Sequence, residues 1–198
     1  MNQQIKPDVF PIANAGTLLL LGVLIFIVSC EEREPLTKIF VIPEGDHYSN
    51  PRMFQSLQSN TLDFKAIFNE TAIYEFQDKS FQDSKNKLLG FSDCNSMHHE
   101  NSARFAWQWY NQQLEIYAYC YVKGERKERF VGTVNLNEPN HYRLTITDSN
   151  YIFQLNDLEP VYIERANICD KGAYYMLWPY FGGSLPAPHD ISLSIQMD

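Results

Sequence analysis

The fold is decided by the stretch from Lys87 to Val122, which reads K-L-L-G-F-S-D-C-N-S-M-H-H-E-N-S-A-R-F-A-W-Q-W-Y-N-Q-Q-L-E-I-Y-A-Y-C-Y-V. Its last part, residues 114–122, alternates between apolar residues at even positions and mostly tyrosines at odd positions. A period of two residues predicts a β-strand with one apolar face turned inward. Residues 103–110 alternate in the same way, and the polar residues 111–113 connect the two runs, so we expect an antiparallel hairpin.

One face of this hairpin is apolar and is predicted to enter the core. It would pack Trp107 and Trp109 against Leu114 and Ile116. Burial of each aromatic side chain of this size contributes about 2–3 kcal/mol of stability. The hairpin is therefore predicted to be the centre of the hydrophobic core.

The other face of the hairpin is polar and rich in tyrosine. It carries Arg104, Gln108, Glu115, Tyr117 and Tyr119. Aromatic rings beside amide and carboxylate groups are typical of a carbohydrate-binding surface, because sugars offer apolar faces for stacking and hydroxyl groups for hydrogen bonds. The alternative is that the tyrosines form cross-strand pairs covered by a second sheet.

The beginning of the chain resembles a bacterial lipoprotein signal peptide. The apolar run from Leu18 to Val28 is too short to span a bilayer comfortably and has the length of a signal-peptide core. It ends in Ile27-Val28-Ser29-Cys30, which resembles a lipobox. The resemblance implies that residues 1–29 are removed and that Cys30 carries a lipid anchor into the membrane. A bare transmembrane anchor is the alternative.

The residues that follow Cys30 indicate the expected location. Glu31-Glu32-Arg33-Glu34 resembles the acidic export signal of Bacteroidetes surface lipoproteins. We therefore interpret residues 30–35 as a lipidated cysteine with a short tether and residues 36–198 as a single domain. The expected location is the bacterial outer membrane, facing outward, and a periplasm-facing anchor is the alternative.

Charge and cysteine content limit the partners and the cross-links. The net charge of −8 disfavours nucleic acid as a partner, and no cofactor is predicted. With Cys30 lipidated, three cysteines remain, and three cannot all pair within one chain. Cys120 lies on the apolar face of its strand and is predicted to be a buried free thiol. If one bridge forms, we expect it between Cys94 and Cys169, since both lie in predicted loops.

Short β-type runs separated by turn residues continue on both sides of the hairpin. Strands are predicted at 36–43, 62–68, 71–76, 130–136, 141–147, 151–155, 161–165, 174–178 and 191–195, and the charged run 123–129 is predicted to be a turn. No segment after Cys30 has the length and periodicity of an amphipathic helix. Many short strands with no helices between them predict an all-β antiparallel sandwich or barrel.

The C-terminal half also resembles a concanavalin-like jelly roll of the laminin-G type. The resemblance lies in H-Y-R-L-T-I-T-D-S-N-Y-I-F-Q-L-N-D at 141–157, in L-W-P-Y-F-G-G at 177–183 and in A-P-H-D-I-S-L-S-I at 187–195. Together with residues 88–109, these motifs are similar to those of uncharacterised Bacteroidetes lipoproteins. The resemblance implies a β-sandwich whose relatives include glycan-binding modules, glycoside hydrolases and polysaccharide lyases. The E-x-D-x-x-E pattern of the hydrolases and the Gln-x-His pattern of alginate lyases are absent.

The loop before the hairpin contains a cluster of side chains that bind metals in other proteins. These are Asp93, Cys94, His98, His99 and Glu100. Adjacent histidines on an extended chain point to opposite sides, so both are not expected to bind one ion. We favour a loop whose polar side chains hold its own backbone, and no metal is predicted.

These observations favour a lipid-anchored, non-catalytic module that binds a polysaccharide or oligosaccharide. The candidate contacts are Arg104, Gln108, Glu115, Tyr117 and Tyr119 on the sheet, with Trp178 and Tyr180 from the loop edge. The first alternative is a polysaccharide lyase or glycoside hydrolase that uses His99 or His189 with Glu115 and a tyrosine, since imidazole titrates near neutral pH. The second alternative is a structural envelope subunit.

Overall fold

Most of the strands form where the sequence alternates between apolar and polar residues. The structure, a computed structural model, describes residues 36–166 and 174–197. The strands are β1 Thr37–Ile42, β2 Ser56–Leu57, β3 Thr61–Phe68, β4 Asn86–Ser92, β5 Asn101–Tyr110, β6 Gln113–Val122, β7 Glu125–Val134, β8 Asn140–Ile146, β9 Asn150–Leu155, β10 Val161–Glu164, β11 Tyr174–Leu177 and β12 Ile191–Met197. Short 3-10 helices lie at Glu70–Ala72 and Lys79–Phe81. The proposed signal peptide, Cys30, the acidic tether and Cys169 lie outside the described residues.

Within these ranges the strands form two six-stranded antiparallel sheets. Sheet 1 has the order β1-β12-β3-β8-β9-β10, and sheet 2 has the order β2-β11-β4-β5-β6-β7. The sheets pack as a sandwich, and this confirms the prediction of an all-β jelly roll. The described part of the chain contains no helix of the length and hydrophobicity that spanning a bilayer requires.

The β5–β6 hairpin lies at the centre of sheet 2 and supplies much of the core. Phe105 packs edge-on against Phe64 of sheet 1, with ring centroids 6.0 Å apart. Trp107 packs against Phe68 at 5.2 Å and is fully buried, as predicted. Trp109 is only partly buried, because it stands near the end of its strand.

The turn between β5 and β6 agrees with the predicted hairpin, whereas the turn between β6 and β7 is shorter than predicted. Asn111 and Gln112 both have positive φ, at 49° and 59°, so a two-residue turn joins β5 and β6. Lys123 and Gly124 form a second turn of this kind, at 54° and 83°. The predicted turn over 123–129 is therefore too long. Its charged residues belong to β7, an edge strand whose charges oppose pairing with another sheet.

Two other differences between the predicted and the observed strands have local causes, one in the capping of a 3-10 helix and the other in burial. Residues 71–76 do not form the predicted strand. Asn69 instead caps a 3-10 helix by accepting a hydrogen bond from the backbone N–H of Thr71 at 3.0 Å. Strand β4 was not predicted, because most of its residues are buried on both faces and it lacks alternation.

A buried ion pair connects the two sheets near one end of the sandwich. The carboxylate of Asp93, which follows β4, accepts hydrogen bonds from Arg165 Nε at 2.6 Å, from Arg165 Nη2 at 3.0 Å and from the Tyr151 hydroxyl at 2.6 Å. Asp93 is therefore part of the framework. The neighbouring Cys94 is in a disulfide, and Cys120 is the buried free thiol that its strand position predicts.

Candidate functional site

A groove of about 540 Å³ lies on the face of sheet 2 that points away from the core. Its floor comes from β4, β5 and β6, and its walls come from the loop between β1 and β2 and from the segment after β11. The side chains that carry its chemistry are Tyr48, Arg52, Lys87, His98, His99, Arg104, Tyr119, Tyr121, Trp178 and Tyr180.

The register of the strands brings the floor residues together. Arg104 lies directly opposite Tyr119 across β5 and β6. Lys87 and Tyr180 form a bridge in which each backbone N–H donates to the other carbonyl, at 2.8 and 3.0 Å. Side chains of directly opposed residues share a face of the sheet. The alternation along each strand therefore directs these four side chains into one groove.

Glycine at position 90 makes room for Arg104. The two residues are opposite each other on β4 and β5. A Cβ atom at Gly90 would lie 2.5 Å from the Arg104 Cα and 2.8 Å from its Cγ. Only a residue without a side chain allows Arg104 to lie this close to β4.

One wall of the groove is built from stacked aromatic and cationic side chains. The Tyr48 ring packs edge-on against Tyr180, with centroids 5.0 Å apart. The Arg52 guanidinium lies 4.6 Å from the Tyr48 ring centroid. Backbone hydrogen bonds between Val41 and Asn50, at 3.0 and 2.8 Å, hold the loop that carries both residues against β1.

The floor carries one buried cation, Arg104, and one half-buried cation, Lys87. Arg104 is only 9% exposed, and within residues 36–166 and 174–197 its guanidinium makes no hydrogen bond or ion pair. Burial lowers the pKa of Arg104 to about 10. Lys87 lies with its Nζ 4.5 Å from the Tyr119 ring centroid. Burial, followed by repulsion from Arg104, lowers the pKa of Lys87 to about 8. The described lining residues include no carboxylate, so the groove is cationic in a protein with net charge −8.

The two adjacent histidines both reach this groove. Residues 93–101 contain successive turns, so the expectation that His98 and His99 point apart is wrong, and their ring centroids are 3.9 Å apart. Burial lowers the pKa of His98 to about 4, with Arg104 as the next cause, so its imidazole is neutral near pH 7. His99 packs edge-on to Tyr121 at 5.8 Å. Among the described residues, no three His, Cys, Asp or Glu side chains are placed to hold a metal ion.

The predicted binding residues fall into two groups. Arg104, Tyr119, Trp178 and Tyr180 line the groove. Gln108, Glu115 and Tyr117 lie further along the same face and form their own cluster. In it, Gln108 Nε2 and the Tyr117 hydroxyl each donate to Glu115 at 2.7 Å. Their roles in binding stay predictions.

The residues of the predicted catalytic alternative are not brought into one cleft. His99 lines the groove, whereas Glu115 belongs to the Gln108–Tyr117 cluster and His189 Nε2 bonds the Thr71 carbonyl at 2.9 Å. Sequence reasoning missed Lys87, Tyr48 and Arg52, which come from segments without alternation. It also missed Tyr121, although the alternation that places Tyr119 on this face places Tyr121 there too.

No family model matches the chain, and no curated protein matches it. Solved structures do match. The alginate lyase AlyC3 superimposes with a TM-score of 0.58 at 12% identity, covering 82% of this chain and 74% of that protein. The same lyase in complex with dimannuronate gives a TM-score of 0.57 at 12% identity, with coverages of 82% and 73%.

Two further structures have the same architecture. The alginate lyase vAL-1 from Chlorella virus gives a TM-score of 0.52 at 14% identity, covering 81% of this chain and 82% of that protein. A glycoside hydrolase family 16 endo-glucanase from Bacteroides ovatus gives 0.52 at 8% identity, with coverages of 83% and 81%. The chain therefore has the concanavalin-like jelly-roll fold found in polysaccharide lyases and glycoside hydrolases of family 16.

Proposed function

We propose that the groove binds an acidic polysaccharide, with a sugar carboxylate against Arg104 and Lys87. The observation that carries this proposal is the buried Arg104, which has no acidic partner among the described residues. An uncompensated buried charge is costly. A carboxylate ligand would offset that cost, because guanidinium groups bind carboxylates with two parallel hydrogen bonds.

The other lining residues support a sugar rather than a small anion. Tyr48, Tyr180 and Trp178 present aromatic surface beside the cations, and such surface stacks on the apolar faces of sugar rings. The structural neighbours that are alginate lyases, including the one solved with dimannuronate, support an acidic sugar polymer as the ligand.

Calorimetric titration distinguishes an acidic from a neutral ligand. Oligomannuronate is the probe, and neutral manno-oligosaccharide of the same length is the control. We expect the acidic chain to bind and the neutral chain to bind at least about tenfold more weakly, because only the former offers carboxylates to Arg104. Equal affinity for the two chains would refute the proposal.

A second candidate function is cleavage of the same polymer by β-elimination. It is favoured by the position of the neutral His98 and of Tyr119 and Tyr180 in the groove that holds Arg104. In this reaction a base removes the proton next to the carboxylate, whose charge Arg104 would neutralise, and an acid protonates the departing oxygen. Hydrolysis by paired carboxylates is not favoured, because the described lining has none.

Ultraviolet absorbance separates binding from cleavage. β-Elimination creates a carbon–carbon double bond conjugated to the carboxylate, so its product absorbs where the substrate does not. A rise in absorbance during incubation with polymannuronate, absent in Tyr180→Phe, would support a lyase. Binding without any such rise would support a non-catalytic module.

We further propose that the protein is anchored in the outer membrane through a lipid on Cys30. The support is the lipobox-like sequence Ile27-Val28-Ser29-Cys30 and the acidic residues after it. Expression of wild type and Cys30→Ala in a bacterium that processes lipoproteins provides the test. We expect the wild type in the detergent phase on phase separation and Cys30→Ala in the aqueous phase. The same partition for both proteins would contradict the anchor.

A further inference from the structure

Beside the cationic groove lies a second section, formed by the end of β4, by β11 and by the loop that follows β4. This second section has a volume of about 450 Å³ and is lined by Ser92, Asn95, Ser96, Met97, His98, Glu100, Tyr175 and Leu177. His98 and Leu177 line both sections. A chain that lies in the cationic groove therefore meets the second section if it extends past His98.

An exposed aromatic pair stands beside the second section. Phe54 lies just before β2, and its ring centroid is 5.5 Å from that of Tyr175, at an angle of 37°. Phe54 is 86% exposed. Tyr175 is held by a hydrogen bond of 3.0 Å from its hydroxyl to the Asn95 side chain. The pair presents a supported apolar surface to solvent.

The two sections differ in charge. The first contains Lys87 and Arg104, together with Arg52, which is ion-paired with Asp46 at 3.6 Å, and its described lining residues include no carboxylate. The described lining of the second contains neither lysine nor arginine, and it includes the carboxylate of Glu100. A carboxylate-bearing sugar is favoured in the first section and disfavoured beside Glu100.

We propose that the second section binds an uncharged sugar of the same polysaccharide, with Phe54 and Tyr175 as its stacking platform. This inference rests on the proposed function of the cationic groove. It specifies the ligand as a polysaccharide in which acidic and neutral sugars are neighbours. A sugar ring that stacks on an exposed aromatic side chain adds affinity without needing a charge. Chains long enough to reach the platform should therefore bind more tightly than shorter ones.

The experiment compares chain length and composition by calorimetric titration. The probes are a disaccharide and a hexasaccharide in which glucuronate alternates with N-acetylglucosamine, and an oligomannuronate hexasaccharide in which every sugar is acidic. We expect Phe54→Ala to lower the affinity for the alternating hexasaccharide about tenfold and to leave the affinity for the disaccharide unchanged. Phe54→Trp should retain the hexasaccharide affinity. Tyr162→Ala, which removes a 50% exposed aromatic side chain of β10 in sheet 1, should change nothing.

Glu100→Gln tests the charge argument separately. Removing this carboxylate should bring the affinity of the oligomannuronate hexasaccharide closer to that of the alternating one, because the repulsion beside Tyr175 is lost. If Phe54→Ala bound the alternating hexasaccharide as tightly as the wild type does, the proposal of the stacking platform would be overturned. Disaccharide binding that depends on Arg104 would in that case still support the proposed function of the cationic groove. Failure of every probe to bind the wild type would overturn both proposals.

Discussion

At the scale of single residues, Arg104 shows how one buried cation can define a groove. It lies on the floor of the groove, on the outer face of sheet 2 and beside tyrosines, and the described groove lining provides no counter-charge. Such a residue lowers the stability of the free protein and gains a partner only when an anion binds. Stability and ligand binding are therefore opposed at this position.

Arg104→Met should separate these two effects. We expect oligomannuronate affinity to fall about tenfold to a hundredfold, since hydrogen bonds to charged groups contribute about 1.5–3 kcal/mol. The free energy of unfolding in urea should rise by about 1 kcal/mol, because a buried charge is removed. Arg129→Met is the matched control, because Arg129 is exposed on β7 and lies outside the groove lining. Loss of stability in Arg104→Met with unchanged affinity would assign Arg104 a purely structural role.

Lys87 should make binding sensitive to pH. Its pKa of about 8 reflects burial first and Arg104 second, with Glu128 opposing and with Arg126 and Lys85 adding to the repulsion. Only the protonated lysine attracts a carboxylate, so affinity should fall as pH rises from about 7 to about 9. A bound anion raises this pKa, so the protein should take up protons on binding near pH 8, visible as a dependence of the binding enthalpy on buffer.

The control for the pH effect is Lys87→Arg, which stays charged across this range. It should bind with an affinity that is nearly constant over the same pH range. The pH dependence of the stability of the free protein has the opposite sign to that of the affinity. Because the pKa of Lys87 is lower in the folded state, the unfolded chain binds more protons above about pH 8, and the free energy of unfolding should rise with pH there. An unchanged pH profile of affinity in Lys87→Arg would show that another group titrates.

The groove residues could be predicted from the sequence only where alternation reveals their face. Arg104 and Tyr119 belong to a strictly alternating hairpin, so their common side was predictable. Lys87 reaches the groove because β4 pairs with β5 and bridges the segment at Tyr180, a contact between positions far apart in sequence. Local patterns contain no information on such contacts.

At the scale of elements, the strands were predictable where one face is buried and the other is solvated. β3, β8, β9 and β12 alternate between buried and partly exposed residues and lie close to their predicted positions. β4 was not predicted, because burial on both faces removes the alternation. The pairing order of the sheets also lay beyond the sequence, since it depends on contacts between distant strands.

The loop after β4 has a structural role that its sequence does not indicate. Asp93 seemed a candidate metal ligand from its neighbours, but its carboxylate binds Arg165, which follows β10 in the other sheet. Asp93→Asn should lower the free energy of unfolding by about 3 kcal/mol, since it leaves the Arg165 charge buried without its full partner. Urea denaturation measures this.

A matched control exists in an exposed ion pair. Glu75 and Lys79 are joined at 2.9 Å with both side chains about two-thirds exposed, and Glu75→Gln should cost about 0.5 kcal/mol or less. If Asp93→Asn cost no more than Glu75→Gln, the ion pair between the sheets would contribute little to holding the sandwich together.

At the scale of the whole molecule, the protein is acidic and the groove is cationic. A net charge of −8 repels a polyanion from most of the surface, whereas Lys87 and Arg104 attract it to one place. The charge distribution therefore favours selective binding at the groove over non-specific adhesion. Because long-range steering is screened by ions, the association rate of oligomannuronate should fall as salt is raised from about 0.05 M to about 0.5 M, as measured by stopped-flow fluorescence.

The most direct test of the account is a nuclear magnetic resonance titration of the isotope-labelled protein with oligomannuronate. Arg104 and Trp178 line the groove, and their side-chain N–H groups serve as reporters. We predict that these resonances and the backbone amides around Tyr119 and Tyr180 shift with one affinity, while the amides of β3, β8 and β9 in sheet 1 do not. Shifts confined to sheet 1, or saturation without any change at Arg104, would contradict the assignment of the groove as the binding site.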